Sequence, residues 1–81
     1  MTVTVLMFAG AREAVGADHV EAPLEPGATY ADLAVALAGR FPALGRLLQS
    51  ARFAADAGYV DPTDKVDPTT EIALIPPVSG G

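Results

Sequence analysis

The sequence predicts a small α+β roll: a mixed sheet of about four to five strands, one main helix across it and a short second helix. Three features predict it. A run of β-branched and apolar residues opens the chain, and a second, alternating run follows a glycine-bounded loop. A long segment with apolar residues at helical spacing comes next. Short strand-like runs separated by turn formers complete the chain. A hairpin, a helix laid on one face and further strands make a two-layer α+β domain.

Each element has a local reason. Thr2 to Ala9 is β-branched and apolar, a first strand. Gly10 to Gly16 is a loop or helical turn. In a second strand, Asp18 to Leu24, His19, Glu21 and Pro23 alternate with Val20, Ala22 and Leu24. Pro23 cannot donate to a ladder, which makes the far end of that strand an edge. Pro26 and Gly27 end it. Thr29 is an N-cap, and Asp32 three residues on completes a capping box. Tyr30, Leu33, Ala34, Leu37 and Phe41 then share a helix face. Gly39 fits a helix C-terminal signal, and Pro42 prevents continuation. Ala43 to Gln49 forms a short second helix with Leu44, Leu47 and Leu48 inward. Arg52 to Ala55 and Tyr59-Val60 are short strands around the turn Asp56-Ala57-Gly58. Two turn-rich stretches, Asp61-Pro62-Thr63-Asp64 and Asp67-Pro68-Thr69-Thr70, precede a last strand from Glu71 to Ile75. The order is ββαβββ or close to it, with the first and last strands side by side in the middle of the sheet.

Composition bounds the function. The 81 residues suffice for one domain, read as residues 1–75, followed by an extended tail, residues 76–81. A domain of this size buries only roughly 60–65% of its unfolded surface. Apolar surface beyond its core is therefore available to a partner. Ten acids against five Lys and Arg give a net charge of −5, which speaks against nucleic acid and mildly for a basic partner surface. No cysteine is present, so disulfides, thiolate catalysis and cysteine-bound zinc are out of reach. His19 is the one histidine and cannot form a metal site alone. The N-terminal run lacks a basic region and reads as a strand, not a signal peptide. No stretch approaches the roughly 20 apolar residues of a membrane span. The cytoplasm is the expected location.

The feature with chemical content is the ending Pro76-Pro77-Val78-Ser79-Gly80-Gly81. The two prolines cannot join a sheet ladder and bias the chain toward an extended course. Ser79, Gly80 and Gly81 add almost no bulk, so the tail can enter a narrow site in another protein. Its reactive group is the terminal carboxylate. Adenylation would give that carboxylate a good leaving group, and a sulfur nucleophile would then convert it to a thiocarboxylate. The bland reading of Gly80-Gly81 is an ordinary frayed terminus.

The segment from Glu71 to Gly81 closely resembles the C-terminus of molybdopterin synthase small subunits. The opening strand leading into Phe8-Ala9 and Ala11-Arg12-Glu13, and Arg52-Phe53-Ala54 followed by Gly58-Tyr59-Val60-Asp61, resemble the same family. The resemblance covers essentially the whole chain. It implies a β-grasp, ubiquitin-like fold and the role of a sulfur carrier. An adenylating enzyme would use ATP to activate Gly81, and a sulfurtransferase system would supply sulfur. The tail, with Gly80 and Gly81 at its reactive end and Pro76, Pro77, Val78 and Ser79 behind them, would insert into the large synthase subunit. Two successive carriers would convert cyclic pyranopterin monophosphate into the dithiolene of molybdopterin. The implied assembly is two small and two large subunits. The chain would be the sulfur-donating part of an enzyme without a complete active site of its own, and would bind no cofactor or metal. The sequence departs from the family pattern in two turns, at Asp67-Pro68-Thr69-Thr70-Glu71 and at Asp56, where many members have Asp-Gly-Asp-Glu and Asn.

Strand alternation assigns faces. Val3, Val5, Met7, Ile72 and Leu74 lie toward the helix. Leu6, Phe8 and Ile75, with Tyr59, lie on the uncovered face, an apolar group that would mark a protein interface. The alternative is that the short second helix or a loop covers them. Arg12 matches a basic position that helps hold partners in the family. Its bland reading is a solvated loop arginine, since a surface ion pair contributes only about 0–1 kcal/mol. Three other functions fit parts of the sequence. They are a sulfur carrier for another pathway such as thiamin thiazole synthesis, a ubiquitin-like modifier joined to target lysines, and a non-catalytic β-grasp adaptor.

Overall fold

The computed structural model describes residues 1–56 and 58–76. Five strands form one sheet: β1 (Thr2–Met7), β2 (His19–Pro23), β3 (Arg52–Ala55), β4 (Gly58–Tyr59) and β5 (Ile72–Ile75), in the order β2-β1-β5-β3-β4. β1 and β5 pair in parallel, Leu6 opposite Ala73, so the first and last strands lie together as the sequence predicts. The other pairings are antiparallel. β2 is an edge, in keeping with Pro23.

The first strand stops two residues earlier than its composition suggests. Phe8 remains extended, but Ala9 turns to φ 47°, and the chain enters a helix, α1 (Ala9–Val15). The predicted loop or helical turn after Gly10 is thus a two-turn helix. Its N-cap, Phe8, offers no side-chain acceptor; the Phe8 carbonyl instead accepts from the Ala11 N–H at 3.0 Å. Gly16 closes it with φ 71°, a conformation that suits glycine.

The main helix, α2 (Tyr30–Arg40), begins with the predicted capping box. The Thr29 N–H donates to Asp32 Oδ2 at 2.9 Å, and the Asp32 N–H donates to Thr29 Oγ1 at 3.3 Å. The turn-rich stretches complete this cap. The Tyr30 N–H donates to the Asp64 carbonyl and the Ala31 N–H to the Pro62 carbonyl, satisfying helix donors that have no partner inside the helix. Lys65 bridges to Thr29, and Val66, unassigned by its pattern, is buried. Gly39 does not end α2. The helix runs one residue further, and the chain leaves it at Phe41 without a left-handed cap. Pro42 then opens a 3-10 turn (Pro42–Leu44), because its missing N–H costs nothing at a helix start. A single-turn helix, α3 (Gly45–Leu48), follows.

The core lies between sheet and helices. Val3, Val5, Met7, Ile72 and Leu74 are all at most 2% exposed, on the face the alternation assigned to the helix. Leu33 and Leu37 of α2 and Leu44 of the 3-10 turn pack against them. Phe53 joins from β3, its ring centroid 5.6 Å from that of Tyr30. Leu47 and Leu48 are only half-buried, so the second helix is less inserted than its leucines suggest. No helix among the described residues is long and apolar enough to cross a membrane.

Candidate functional site: the open sheet face and the root of the tail

The parallel pairing of β1 and β5 brings both strand ends to one end of the sheet. Ile75 is the last residue of β5, and Pro76, half-buried, comes next. β3 runs antiparallel to β5, so it starts at this same end, with Arg52 opposite Ile75. α1 departs from here as well, since it begins where β1 stops. Tail root, Phe8, Arg12 and Arg52 are thereby gathered at one end by topology. Asp56 and Glu71 flank the other ends of β3 and β5.

The open face is continuous across four strands. Leu6 of β1, Ala73 of β5, Ala54 of β3 and Tyr59 of β4 stand opposite one another in turn. Leu6 and Ile75 are half-buried, whereas Phe8 is 46% and Tyr59 60% exposed. Phe8 lies past the strand, but its backbone, at φ −127° and ψ 154°, is still extended. It therefore continues the alternation one step beyond Leu6. The four apolar residues expected on this face are on it. Neither the short second helix nor a described loop buries Phe8 or Tyr59. Ala54, Gly58, Tyr59 and Ile75 line a shallow depression on this face.

Arg12 sits on α1 and not in a loop. Its Nε lies 4.0 Å from Asp18 Oδ1, with the two side chains 67% and 86% exposed. Such a pair is too long for a hydrogen bond and too solvated to stabilise much. Arg52 is the residue that the sequence reasoning passed over. Its guanidinium carbon lies 4.3 Å from the centroid of the Tyr59 ring. A signal was available: alternation puts Arg52 and Ala54 on the side opposite Phe53, and the tight turn folds Tyr59 back beside Ala54. The other residues that the sequence puts forward for the site, Pro77, Val78, Ser79, Gly80 and Gly81, lie outside the described residues.

Tyr30 and Asp67, both near the cap of α2, are perturbed. Burial raises the Tyr30 hydroxyl above its ordinary value, and Asp64, Asp67 and Asp56 add to the shift. Asp67 is lowered, chiefly because its carboxylate accepts from the Thr69 hydroxyl at 2.7 Å and the Thr69 N–H at 2.9 Å. These bonds make a local Asx turn, which accounts for a sound turn where the sequence departs from Asp-Gly-Asp-Glu. Asp56 takes φ 52°. Asp and Asn tolerate this left-handed conformation better than most residues do.

The ThiS family model matches residues 5–81. The chain belongs to the ThiS family. A relative named molybdopterin synthase sulfur carrier subunit, from Chlamydomonas reinhardtii, is 37% identical over 83 residues, covering 100% of both chains. The crystal structure of SAMP1 from Haloferax volcanii matches with a TM-score of 0.84 at 27% identity, again over 100% of both chains. A chain of the complex of subunits 1 and 2 of molybdopterin-converting factor from Helicobacter pylori matches over 100% of both chains with a TM-score of 0.65 at 21% identity, a likeness of fold. This ThiS-family chain thus has the ubiquitin-like β-grasp architecture.

Proposed function

We propose that this chain is the sulfur-carrier subunit of a molybdopterin synthase. The observation that carries the reading is its 37% identity, over the whole of both chains, to a subunit of that name. Geometry supports it. The open face provides an apolar docking surface, and β5 leads directly from the middle of the sheet into Pro76.

The proposed chemistry resides in Gly81, with Gly80 beside it. The Gly81 carboxylate attacks the α-phosphorus of ATP on an activating enzyme and displaces pyrophosphate. A sulfur nucleophile then replaces AMP, leaving a thiocarboxylate. Pro76, Pro77, Val78 and Ser79 carry this group into the large subunit, where two carriers in succession furnish the sulfurs of the molybdopterin dithiolene. Leu6, Phe8, Tyr59 and Ile75 bind the large subunit, with Arg12 at the margin. The chain itself holds no cofactor and acts in the cytoplasm, where ATP-dependent activation is supplied. Two small and two large subunits form the complete enzyme. The Helicobacter pylori structure, a complex of subunits 1 and 2, supports a two-subunit arrangement.

The intact mass of the chain, purified from cells that contain its activating enzyme, tests this. A gain equal to one oxygen replaced by sulfur, located at Gly81 and lost when Gly81 is deleted, is expected. Deletion should leave the thermal midpoint unchanged. An unmodified chain in the presence of a competent activating enzyme would defeat the reading. Gly81 in isopeptide linkage to cellular lysines would point to a protein modifier.

A further inference from the structure

We propose that Arg52, with the depression beside it, is a recognition site for an acidic element of the large subunit: a carboxylate next to an aliphatic side chain. This rests on the function proposed above and adds the chemistry of the partner's contact surface.

Position comes first. Arg52 stands opposite Ile75, so it is the strand residue beside the root of the tail. Whatever protein receives the tail must pass close to it. Orientation comes second. The guanidinium is stacked at 4.3 Å on Tyr59, which is attached to the neighbouring strand and is itself 60% exposed. A stacked guanidinium has given up much of its rotamer freedom before any partner arrives, so less entropy is lost on binding. Its planar fork keeps parallel N–H groups that match the two oxygens of a carboxylate. Third, the depression lined by Ala54, Gly58, Tyr59 and Ile75 adjoins this cation. It has no charged lining residue and suits a small aliphatic side chain.

Charge selects the occupant. The net charge of −5, taken alone, speaks for a basic partner. At Arg52 the local arrangement differs: Glu13, Asp18 and Asp61 share this end of the sheet with Arg12 and Arg52, but none of them lies within 4.0 Å of the Arg52 guanidinium. Arg12 has Asp18 as a loose neighbour, 4.0 Å away and well solvated. Among the described residues, no carboxylate lies within 4.0 Å of Arg52. An aromatic face holds this guanidinium without neutralising it, so the charge is left for a partner's acid.

The test measures the affinity of the full chain for the large subunit of the same organism, by calorimetry, at two salt concentrations. Arg52→Glu should weaken binding by at least about tenfold at low salt, because it sets like charges against each other. Arg52→Lys should weaken it by roughly threefold, since it keeps the charge but loses the fork and the stacking. Arg40→Glu is the control. Arg40 also stands over an aromatic ring, 5.8 Å from that of Phe41, but at the end of α2. Its replacement should leave affinity within about twofold of the wild type. The Arg52→Glu loss should shrink at about 1 M salt, where screening acts over about 3 Å instead of about 10 Å at 0.1 M. Arg52→Gln repeats the test without a new charge should the glutamate alter the thermal midpoint. Wild-type affinity in both Arg52→Glu and Arg52→Gln, or tighter binding by Arg52→Glu, would overturn this inference while leaving the carrier reading intact. A wild-type chain that neither binds the large subunit nor gains sulfur would remove both.

Discussion

The two faces of the sheet are built by the same strands and differ in almost everything else. On the covered face Val3, Val5, Met7, Ile72 and Leu74 are nearly inaccessible and pack against α2. On the open face the intervening positions carry Leu6, Ala54, Ala73 and Ile75, with Phe8 and Tyr59 exposed at its borders. Strand periodicity alone would produce an apolar face and a polar one. Here the second face is apolar where β1, β5, β3 and β4 meet, at Leu6, Ala73, Ala54, Ile75 and Tyr59, while Thr2 and Thr4 of β1, Glu21 of β2 and Arg52 of β3 make the rest of it polar. One face serves the fold, and the other is available to a partner. A chain this small cannot stabilise a second layer of helices on the open side.

The comparison breaks first if core and interface residues respond alike. Leu74→Ala, on the covered face, should cost about 2–5 kcal/mol, because the site is closed and cannot collapse around the cavity. A chain of this length has little stability beyond that, so a large fall in the thermal midpoint is expected, with binding lost only as the chain unfolds. Phe8→Asp comes next. Its ring is 46% exposed and lies past the end of β1, so the thermal midpoint should move little. Affinity for the large subunit should nevertheless fall by about tenfold or more, as for an anchor residue at an interface. If Phe8→Asp unfolds the chain, or leaves affinity untouched, the division of labour between the faces is wrong.

Much of this division was legible in the sequence. The alternation Val3, Val5, Met7 against Thr2, Thr4, Leu6 carries its own face assignment, and the Thr29–Asp32 cap is local in sequence and so visible in it. What escaped were effects decided at a distance. Ala9 adopts a positive φ that no propensity favours, and α1 follows because the chain must turn back toward β2. Gly39 carries a helix-ending signal, but Phe41 and Pro42 end the helix through the 3-10 turn that buries Leu44. Val66 sits in a stretch that composition marks as turn, yet it is buried because its N–H donates to the Ala28 carbonyl at 2.8 Å, drawing it under α2. Arg52 gains its interest from Tyr59 and Ile75, residues 7 and 23 positions away along the chain. The expectation for Gly80 and Gly81 comes from consecutive residues and so can be formed in one dimension, although those residues lie outside the described ones. A one-dimensional reading passed over the cation at the tail's root, because that site exists only once three strands are paired.

The smallest expected effect concerns the border of the covered face. Tyr30 packs on Phe53, and burial, reinforced by Asp64, Asp67 and Asp56, raises its hydroxyl above the ordinary value of 10.0. The folded chain then holds this proton to higher pH than the unfolded chain does. The corresponding stability is fully present below about pH 10 and is lost as the pH rises through the folded-state value. Tyr30→Phe removes the titration but keeps the ring against Phe53. Its urea midpoint should therefore decline less than that of the wild type between about pH 9 and pH 11. Phe8→Asp leaves Tyr30 and its packing on Phe53 in place, so it should retain the wild-type slope over that range. Equal slopes in the wild type and Tyr30→Phe would mean that the hydroxyl is as solvated in the folded chain as in the unfolded one. The covered face would then be less tightly sealed at α2 than the packing of Tyr30 on Phe53 requires.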